Sequence, residues 1–305
     1  MKSFTIKFWG VRGSVPTPGA STLFYGGNTS CVEVRFKNNL FFILDAGTGI
    51  RELGKYLQQK REKIDTYIFI SHFHWDHIQG LPFFRPAYES HNSITIVGSD
   101  DAAAKLAQII SLQMDPTYFP ITIEDMQAHI SFKSVKEEKF SIKGVDIQTI
   151  YLNHPGYALG YRFSYQNCRL VYISDNEPFH SSTKFSLLPE KEAGRRAVER
   201  AFDNFYEDKT SKLIDFCKKA DILIHDAQYF PEEYDLHKTW GHSPYSYPID
   251  LALKSEVKYL VLFHHDPDHD DKTIKQMVQK AKKIIKTAGI SIKCEAAREG
   301  WSIEV

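Results

Sequence analysis

Thr66-Tyr67-Ile68-Phe69-Ile70-Ser71-His72-Phe73-His74-Trp75-Asp76-His77 is the stretch on which the fold turns. Its first half is β-branched and aromatic, the composition of a buried strand. Its second half delivers three imidazoles and a carboxylate in six positions, just past the carboxyl end of that strand, where α/β proteins build their sites. In an extended loop His72 and His74 point one way. Asp76 and His77, opening the next helix, point the other. Imidazole nitrogen and carboxylate oxygen are ordinary ligands of transition ions, and this layout suits two adjacent ions better than one. A single histidine is usually a satisfied core or surface residue; three of them with an aspartate in so short a run are not.

Further candidates follow other strand-like runs. Val145 to Leu152 alternates and leads into Asn153-His154-Pro155-Gly156, Arg169 to Ser174 ends at Asp175, and Tyr259 to Phe263 ends at His264-His265-Asp266-Pro267. With the run from His72 to His77, this order resembles the HxHxDH pattern of the metallo-β-lactamase fold superfamily. The resemblance spans residues 72 to 264 and implies an α/β, four-layer αββα sandwich with a metal cleft at one edge. It also implies which residues bind: one ion on His72, His74 and His154, a second on Asp76, His77 and His264, with Asp175 bridging. His264 rather than His265 is the expected ligand, because it comes first after its strand. Two divalent ions are implied, zinc foremost, with manganese or iron as competitors for the same nitrogen and oxygen ligands.

Composition fits an ordinary globular enzyme. At 305 residues the chain is long enough for a deep core, and no linker or repeat divides it, so a single domain over 1–305 is expected. The polar, charged segment 181–211 interrupts the strand–helix rhythm and reads as an insertion or lid. Lys plus Arg equals Asp plus Glu at 38 each, so no global field recruits nucleic acid or an anionic membrane. The amino-terminal residues alternate like a strand and lack the apolar core of a signal peptide. No apolar run is long enough to span a bilayer. The four cysteines are scattered without CxxC spacing and read as reduced thiols. These features set the expectation of a cytoplasmic protein.

Three more stretches carry chemistry. Phe41-Phe42-Ile43-Leu44-Asp45-Ala46-Gly47 is a strand ending in an aspartate. The superfamily resemblance gives Asp45 the task of bracing the metal loop, although a helix cap near Thr48 is the plainer alternative. Tyr25-Gly26-Gly27-Asn28-Thr29-Ser30 could offer Asn28 and Thr29 to an anionic substrate, or could be a hairpin turn. His225-Asp226-Ala227-Gln228 and Trp240-Gly241-His242-Ser243 resemble segments of the transfer-RNA 3′-processing nucleases and their cyclic-nucleotide phosphodiesterase relatives. There an acidic residue and a later histidine protonate the leaving oxygen, which places those roles on Asp226 and His242. The alternative is a salt bridge at Asp226 and a cap at His242. This chain has Asp226 where the nucleases have Glu, a shorter reach toward the histidine.

Phe8 to Pro16 and Gly80 to Pro86 further resemble the phosphoribosyl cyclic phosphodiesterases and class II cyclic-AMP phosphodiesterases. The nucleases carry a long arm between the lone histidine and the bridging aspartate, whereas twenty residues separate His154 from Asp175 here. The expectation is therefore a binuclear phosphodiesterase acting on a small, cyclic phosphodiester. Asp76, Asp226 and His242 are the expected catalytic residues, with His242, oriented by Asp226, as general acid. No long nucleic acid and no membrane are expected as partners; a homodimer is implied by resemblance alone. A carboxyl-ester, thioester or lactam hydrolase on the same metals is the alternative, and a non-catalytic metal-stabilised binding protein stands behind both.

Overall fold

The structure is a computed structural model and describes residues 3–37, 39–100, 105–179 and 192–305, with 192–203 described as backbone only. In chain order the strands are β1 (Phe4–Gly10), β2 (Cys31–Phe36), β3 (Phe41–Leu44), β4 (Asp65–Phe69), β5 (Ser93–Gly98), β6 (His129–Ser134), β7 (Lys139–Ile142), β8 (Val145–Tyr151), β9 (Leu159–Tyr165), β10 (Cys168–Ile173), β11 (Ile222–Asp226), β12 (Tyr259–Phe263), β13 (Lys293–Ala296) and β14 (Ser302–Glu304). The helices are α1 (Gly49–Lys60), α2 (Trp75–Ile78), α3 (Leu106–Leu112), α4 (Glu192–Cys217), α5 (Pro231–Tyr234), α6 (Ser246–Lys254) and α7 (Asp271–Thr287).

Among the described residues the strands form two seven-stranded sheets, ordered β14-β1-β2-β3-β4-β5-β6 and β13-β12-β11-β10-β9-β8-β7. Each sheet is antiparallel at one end and parallel at the other, with β3 to β6 parallel in the first and β10 to β13 parallel in the second. Phe8, Phe42, Phe69, Tyr161, Phe163, Tyr172 and Phe263 fill the space between the sheets. The outer faces are covered separately: α1 and α3 on the first sheet, and α4, α6 and α7 on the second. This is the expected αββα sandwich.

Local sequence explains the layers. In α1, Ile50, Leu53, Gly54 and Leu57 are buried at helical spacing, and in α7 the same is true of Ile274, Met277, Val278, Ala281 and Ile285. The Asp270 carboxylate accepts the Thr273 amide at 2.7 Å and caps α7, a contact worth about 1 kcal/mol. Central strands β3, β11 and β12 are buried at every residue, the continuous apolar reading of strands covered on both faces.

Two strands carry little periodic signal in the sequence. Strand β7 pairs with β8 across a turn in which Lys143 and Gly144 both have positive φ, a hairpin hidden by a lysine-rich run. The three-residue β14 pairs with β1 and is too short for alternation to register. Of the segment 181–211, residues 181–191 lie outside the described residues and the remainder belongs to α4. No helix among the described residues is long and apolar enough to cross a membrane.

Candidate metal centre

Strand ends gather the site. His72 and His74 follow β4, His154 follows β8, Asp175 follows β10, His264 follows β12, and Asp76 and His77 lie in α2. The structure brings all seven together as two overlapping groups. His72, His74, His154 and Asp175 form one; Asp76, His77, His264 and Asp175 form the other. Within each, the ligand atoms lie within 4.8 Å of one another. His77 Nε2 stands 3.1 Å from Asp76 Oδ2 and 3.2 Å from Asp175 Oδ1, and His264 Nε2 stands 3.0 Å and 3.2 Å from the same two oxygens. On the other side, His72 Nε2 is 3.5 Å and His154 Nε2 3.9 Å from Asp175 Oδ2.

Those separations and the donor set fit metal ions. Ligands around one four-coordinate ion at about 2.0–2.1 Å stand roughly 3.3–3.4 Å apart. The His72 Nε2 atom is buried without a hydrogen-bond partner, a costly state unless a ligand takes its lone pair. His154 Nε2 lies 3.1 Å from His74 Nδ1, and His264 Nε2 lies 3.2 Å from His77 Nε2. Convergence of this kind, nitrogen on nitrogen, is what a shared cation relieves.

The outer nitrogens are fixed by the protein. Asp45, fully buried, accepts from the Ser71 amide at 2.7 Å, the Ser71 hydroxyl at 3.0 Å, the Tyr172 hydroxyl at 2.6 Å and His77 Nδ1 at 2.8 Å. With its one proton on Asp45, the Ser71 hydroxyl accepts from His72 Nδ1 at 3.1 Å. His154 Nδ1 donates to the Gly241 carbonyl at 2.9 Å, and His264 Nδ1 donates to Gln228 Oε1 at 3.0 Å. Each bond leaves Nε2 as the lone pair that faces the cluster. Asp45 and His264 both hold positive φ, at 60° and 58°, a conformation non-glycine residues adopt only when their surroundings impose it.

Gly13 and Gly241 make room. A Cβ on Gly13 would lie 2.4 Å from the His264 ring, and one on Gly241, where φ is 87°, would lie 2.1 Å from His154 Nδ1. His265, buried in turn, points away and bonds the Ala297 carbonyl at 2.9 Å through Nε2. Asn28 and Thr29 spend their polar groups inside the chain. Asn28 Nδ2 donates to Glu299 at 3.0 Å, and Thr29 Oγ1 accepts the Thr48 amide at 2.9 Å.

Electrostatics at the centre are strongly coupled. Burial alone would raise the Asp175 carboxyl, but the imidazoles of His264, His77 and His72 hold it well below the usual range. Burial would lower His77, yet Asp175, Asp76 and Asp45 push it well above the ordinary imidazole value. His154, chiefly through burial, falls to about 4. Protonated at neutral pH while no metal is bound, His77 must release its proton for Nε2 to ligate an ion. Metal affinity should therefore rise with pH, and calorimetric loading at pH 7 should give heats that change with the buffer's ionisation enthalpy. Buffer-independent heats would show that no proton leaves.

A second pair stands beside the cluster. Asp226, at the end of β11, accepts the Gln228 amide at 2.9 Å and the Ser243 amide at 3.2 Å. His242 Nδ1 donates to Asp226 Oδ2 at 3.1 Å and lies 3.7 Å from Asp175. Burial would lower this imidazole, but the charge of Asp226 outweighs it and raises the value to about 9.

Sequence reasoning missed one carboxylate altogether. Glu177, two residues beyond Asp175, is buried and accepts from the Tyr234 hydroxyl at 2.7 Å, the Thr239 amide at 2.8 Å and the Gly241 amide at 3.1 Å. It thereby fixes the strap whose Gly241 carbonyl orients His154 and whose next residue is His242. Thr239, a β-branched residue with φ of 77°, is held in a conformation it would not choose. The signal was present in Asp175-Asn176-Glu177, but three adjacent polar residues read as loop. Glu177→Gln turns a donor toward one of those amides, and should weaken metal binding and activity by about 10–100-fold. Metal titration of the variant checks this; unchanged affinity would confine Glu177 to the fold.

Comparison with known proteins finds this fold and this kind of centre elsewhere. The model of the beta-lactamase superfamily domain matches residues 41–189, which contain six of the seven clustered residues. The chain is a metal-dependent hydrolase of the metallo-β-lactamase fold. Ribonuclease Z of Picrophilus torridus is 24% identical, with 95% of this chain and 94% of that protein covered. YhfI of Bacillus subtilis, a metallo-β-lactamase fold protein, superposes with a TM-score of 0.68 at 16% identity, covering 99% of this chain and all of that one. The short form of human tRNase Z superposes with a TM-score of 0.61 at 18% identity, covering 98% of each chain.

These relatives correct one expectation. A small-molecule phosphodiester as partner, with long nucleic acid excluded, conflicts with proteins named for ribonuclease activity that match this hydrolase along nearly its whole length. The exclusion rested on zero net charge and on the short span from His154 to Asp175. Net charge averages over the entire surface and does not report the local potential at a cleft, which is what a phosphate backbone meets.

Proposed function

We propose that this hydrolase is a phosphodiesterase acting on ribonucleic acid, with His242 as the general acid oriented by Asp226. His72, His74 and His154 would hold one divalent ion and Asp76, His77 and His264 the other, with Asp175 offering an oxygen to each. Zinc suits these ligands best, and manganese or iron compete for them. Bound ions supply an activated water and offset charge on the phosphoryl oxygens. The protein's own residues do the rest. Asp45, Ser71, Gln228 and the Gly241 carbonyl hold the imidazoles in one tautomer. Asp76, which accepts the Ser14 amide at 2.8 Å, keeps its carboxylate on the cluster side. His242, with Nδ1 committed to Asp226, presents Nε2 for proton donation to the departing sugar oxygen.

The 3.1 Å bond between His242 and Asp226 at the edge of the cluster carries this reading, because acyl hydrolysis on the same metals has no use for it. A sugar alkoxide is a poor leaving group and needs the proton. The test is hydrolysis by the metal-loaded protein of precursor transfer RNA, 3′,5′- and 2′,3′-cyclic nucleotides, and a thioester. RNA cleavage leaving a free hydroxyl on one product supports the proposal. Turnover of cyclic nucleotides alone would return the substrate to the small diester expected from sequence, and turnover of the thioester alone would end the phosphodiesterase reading.

A further inference from the structure

The chain has four tryptophans, and they divide sharply. Trp9 donates to Glu33 at 2.9 Å and packs on Tyr56, and Trp301 stacks on Phe8 at 5.5 Å. Trp75 and Trp240 instead stand 79% and 60% exposed. An indole left in water forgoes more burial than almost any other side chain, so two such indoles ask for a ligand. Both flank the metal centre. Trp75 is the residue between His74 and Asp76, and its backbone is pinned in α2 by the bond from the Gln79 amide at 2.7 Å. Trp240 precedes Gly241, whose Cβ position lies 2.1 Å from His154 Nδ1. With consecutive Cα atoms about 3.8 Å apart, the Trp240 Cα is within roughly 7.5 Å of that nitrogen.

The two exposed indoles therefore belong to separate segments beside the site, one on the loop of His74 and Asp76, the other on the strap of His242. Trp240 rests edge-on against His237, with ring centres 4.8 Å apart. For Trp75, no ring contact, cation–π contact or side-chain hydrogen bond occurs among the described residues. Both backbones are hydrogen-bonded beside the ligands, Trp75 by the Gln79 amide at 2.7 Å and Trp240 to the His237 carbonyl at 3.1 Å.

We infer that Trp75 and Trp240 form a stacking platform for unpaired nucleobases on either side of the scissile phosphate, so that the site takes single-stranded RNA and reads its bases by stacking. The inference rests on the phosphodiesterase reading. Stacking is tolerant of base identity because every base has a π-face, so the platform selects single strands over duplex, whose bases are already stacked.

The experiment measures binding by the metal-loaded protein of a fluorescent single-stranded oligoadenylate and of an abasic ribose-phosphate oligomer of equal length. The unsubstituted protein, Trp75→Ala, Trp240→Ala and the two Phe replacements are compared. Each alanine should lower oligoadenylate affinity about 5–100-fold more than abasic affinity, the range of one lost stacked base, while phenylalanine restores most of it. Equal affinity of the unsubstituted protein for the two oligomers, equal losses for both, or no loss would overturn the platform. Hydrolysis of bis-(p-nitrophenyl) phosphate by the unsubstituted protein reports separately on the phosphodiesterase reading. If it occurs without base preference, the platform alone fails; base preference without any diester hydrolysis sinks the reading instead.

Discussion

Replacing Asp175 with alanine should abolish turnover and empty both halves of the centre. Among the described residues its carboxylate belongs to both groups of ligands, at 3.2 Å to His77 and His264 and at 3.5 Å to His72. Without it, His154 and His74, with nitrogens 3.1 Å apart, lose their nearest carboxylate, and His77 and His264, 3.2 Å apart, keep Asp76 alone at Nε2. Bound metal supplies several kcal/mol of transition-state stabilisation, so the loss in kcat/KM should be about a thousandfold or more. Elemental analysis should find both ions depleted. Retention of one ion at full occupancy would mean that Asp175 belongs to one half only.

Removing His242 should produce a selective defect. A positioned acid contributes about 10²–10⁴ in rate when the leaving group is poor. His242→Ala should therefore slow cleavage of RNA or a cyclic nucleotide by that factor, and slow a nitrophenyl diester far less, because nitrophenolate leaves without protonation. Asp226→Asn should show the same selectivity in weaker form, since it disturbs only the orientation and charge of the imidazole. Metal content, measured on both variants, separates loss of the acid from loss of the centre. Equal slowing of good and poor leaving groups would make His242 a substrate-holding residue.

The layered fold and the cluster were legible because each rests on local pattern. Buried central strands such as β4 and β12 announce themselves as apolar runs, and the residues just beyond them fall into one crevice once the strands are parallel. The expectation for Asp45 came from the superfamily resemblance, and that for His264 over His265 from its place first after β12; Asp45 bonds His77, and His264 is the one of the pair that lies in the cluster. Tertiary partners were not legible. Nothing near Glu177 in sequence indicates that its carboxylate will collect amides from residues 239 and 241, more than sixty positions away. The Gly241 carbonyl that orients His154 is equally remote. Asn28 and Thr29 looked available for an anion because sequence does not reveal Glu299 and Thr48 as their partners. Exposure is invisible too, so Trp75 and Trp240 could not be told from core tryptophans.

Substrate choice was misjudged for a related reason. Charge composition is a property of the whole chain, whereas recognition depends on the few groups that line one cleft. Two exposed indoles beside the centre weigh more on that question than the balance of 38 basic against 38 acidic residues.

The most direct test is a metal titration of chelator-stripped protein in which bound metal per chain and hydrolysis of bis-(p-nitrophenyl) phosphate are followed together. Binding should saturate at about two divalent ions per chain, as in two-metal hydrolase sites, and turnover should appear only as that occupancy is approached. Saturation at a single ion, or hydrolysis that persists in the stripped protein, would contradict a binuclear centre built from these seven residues.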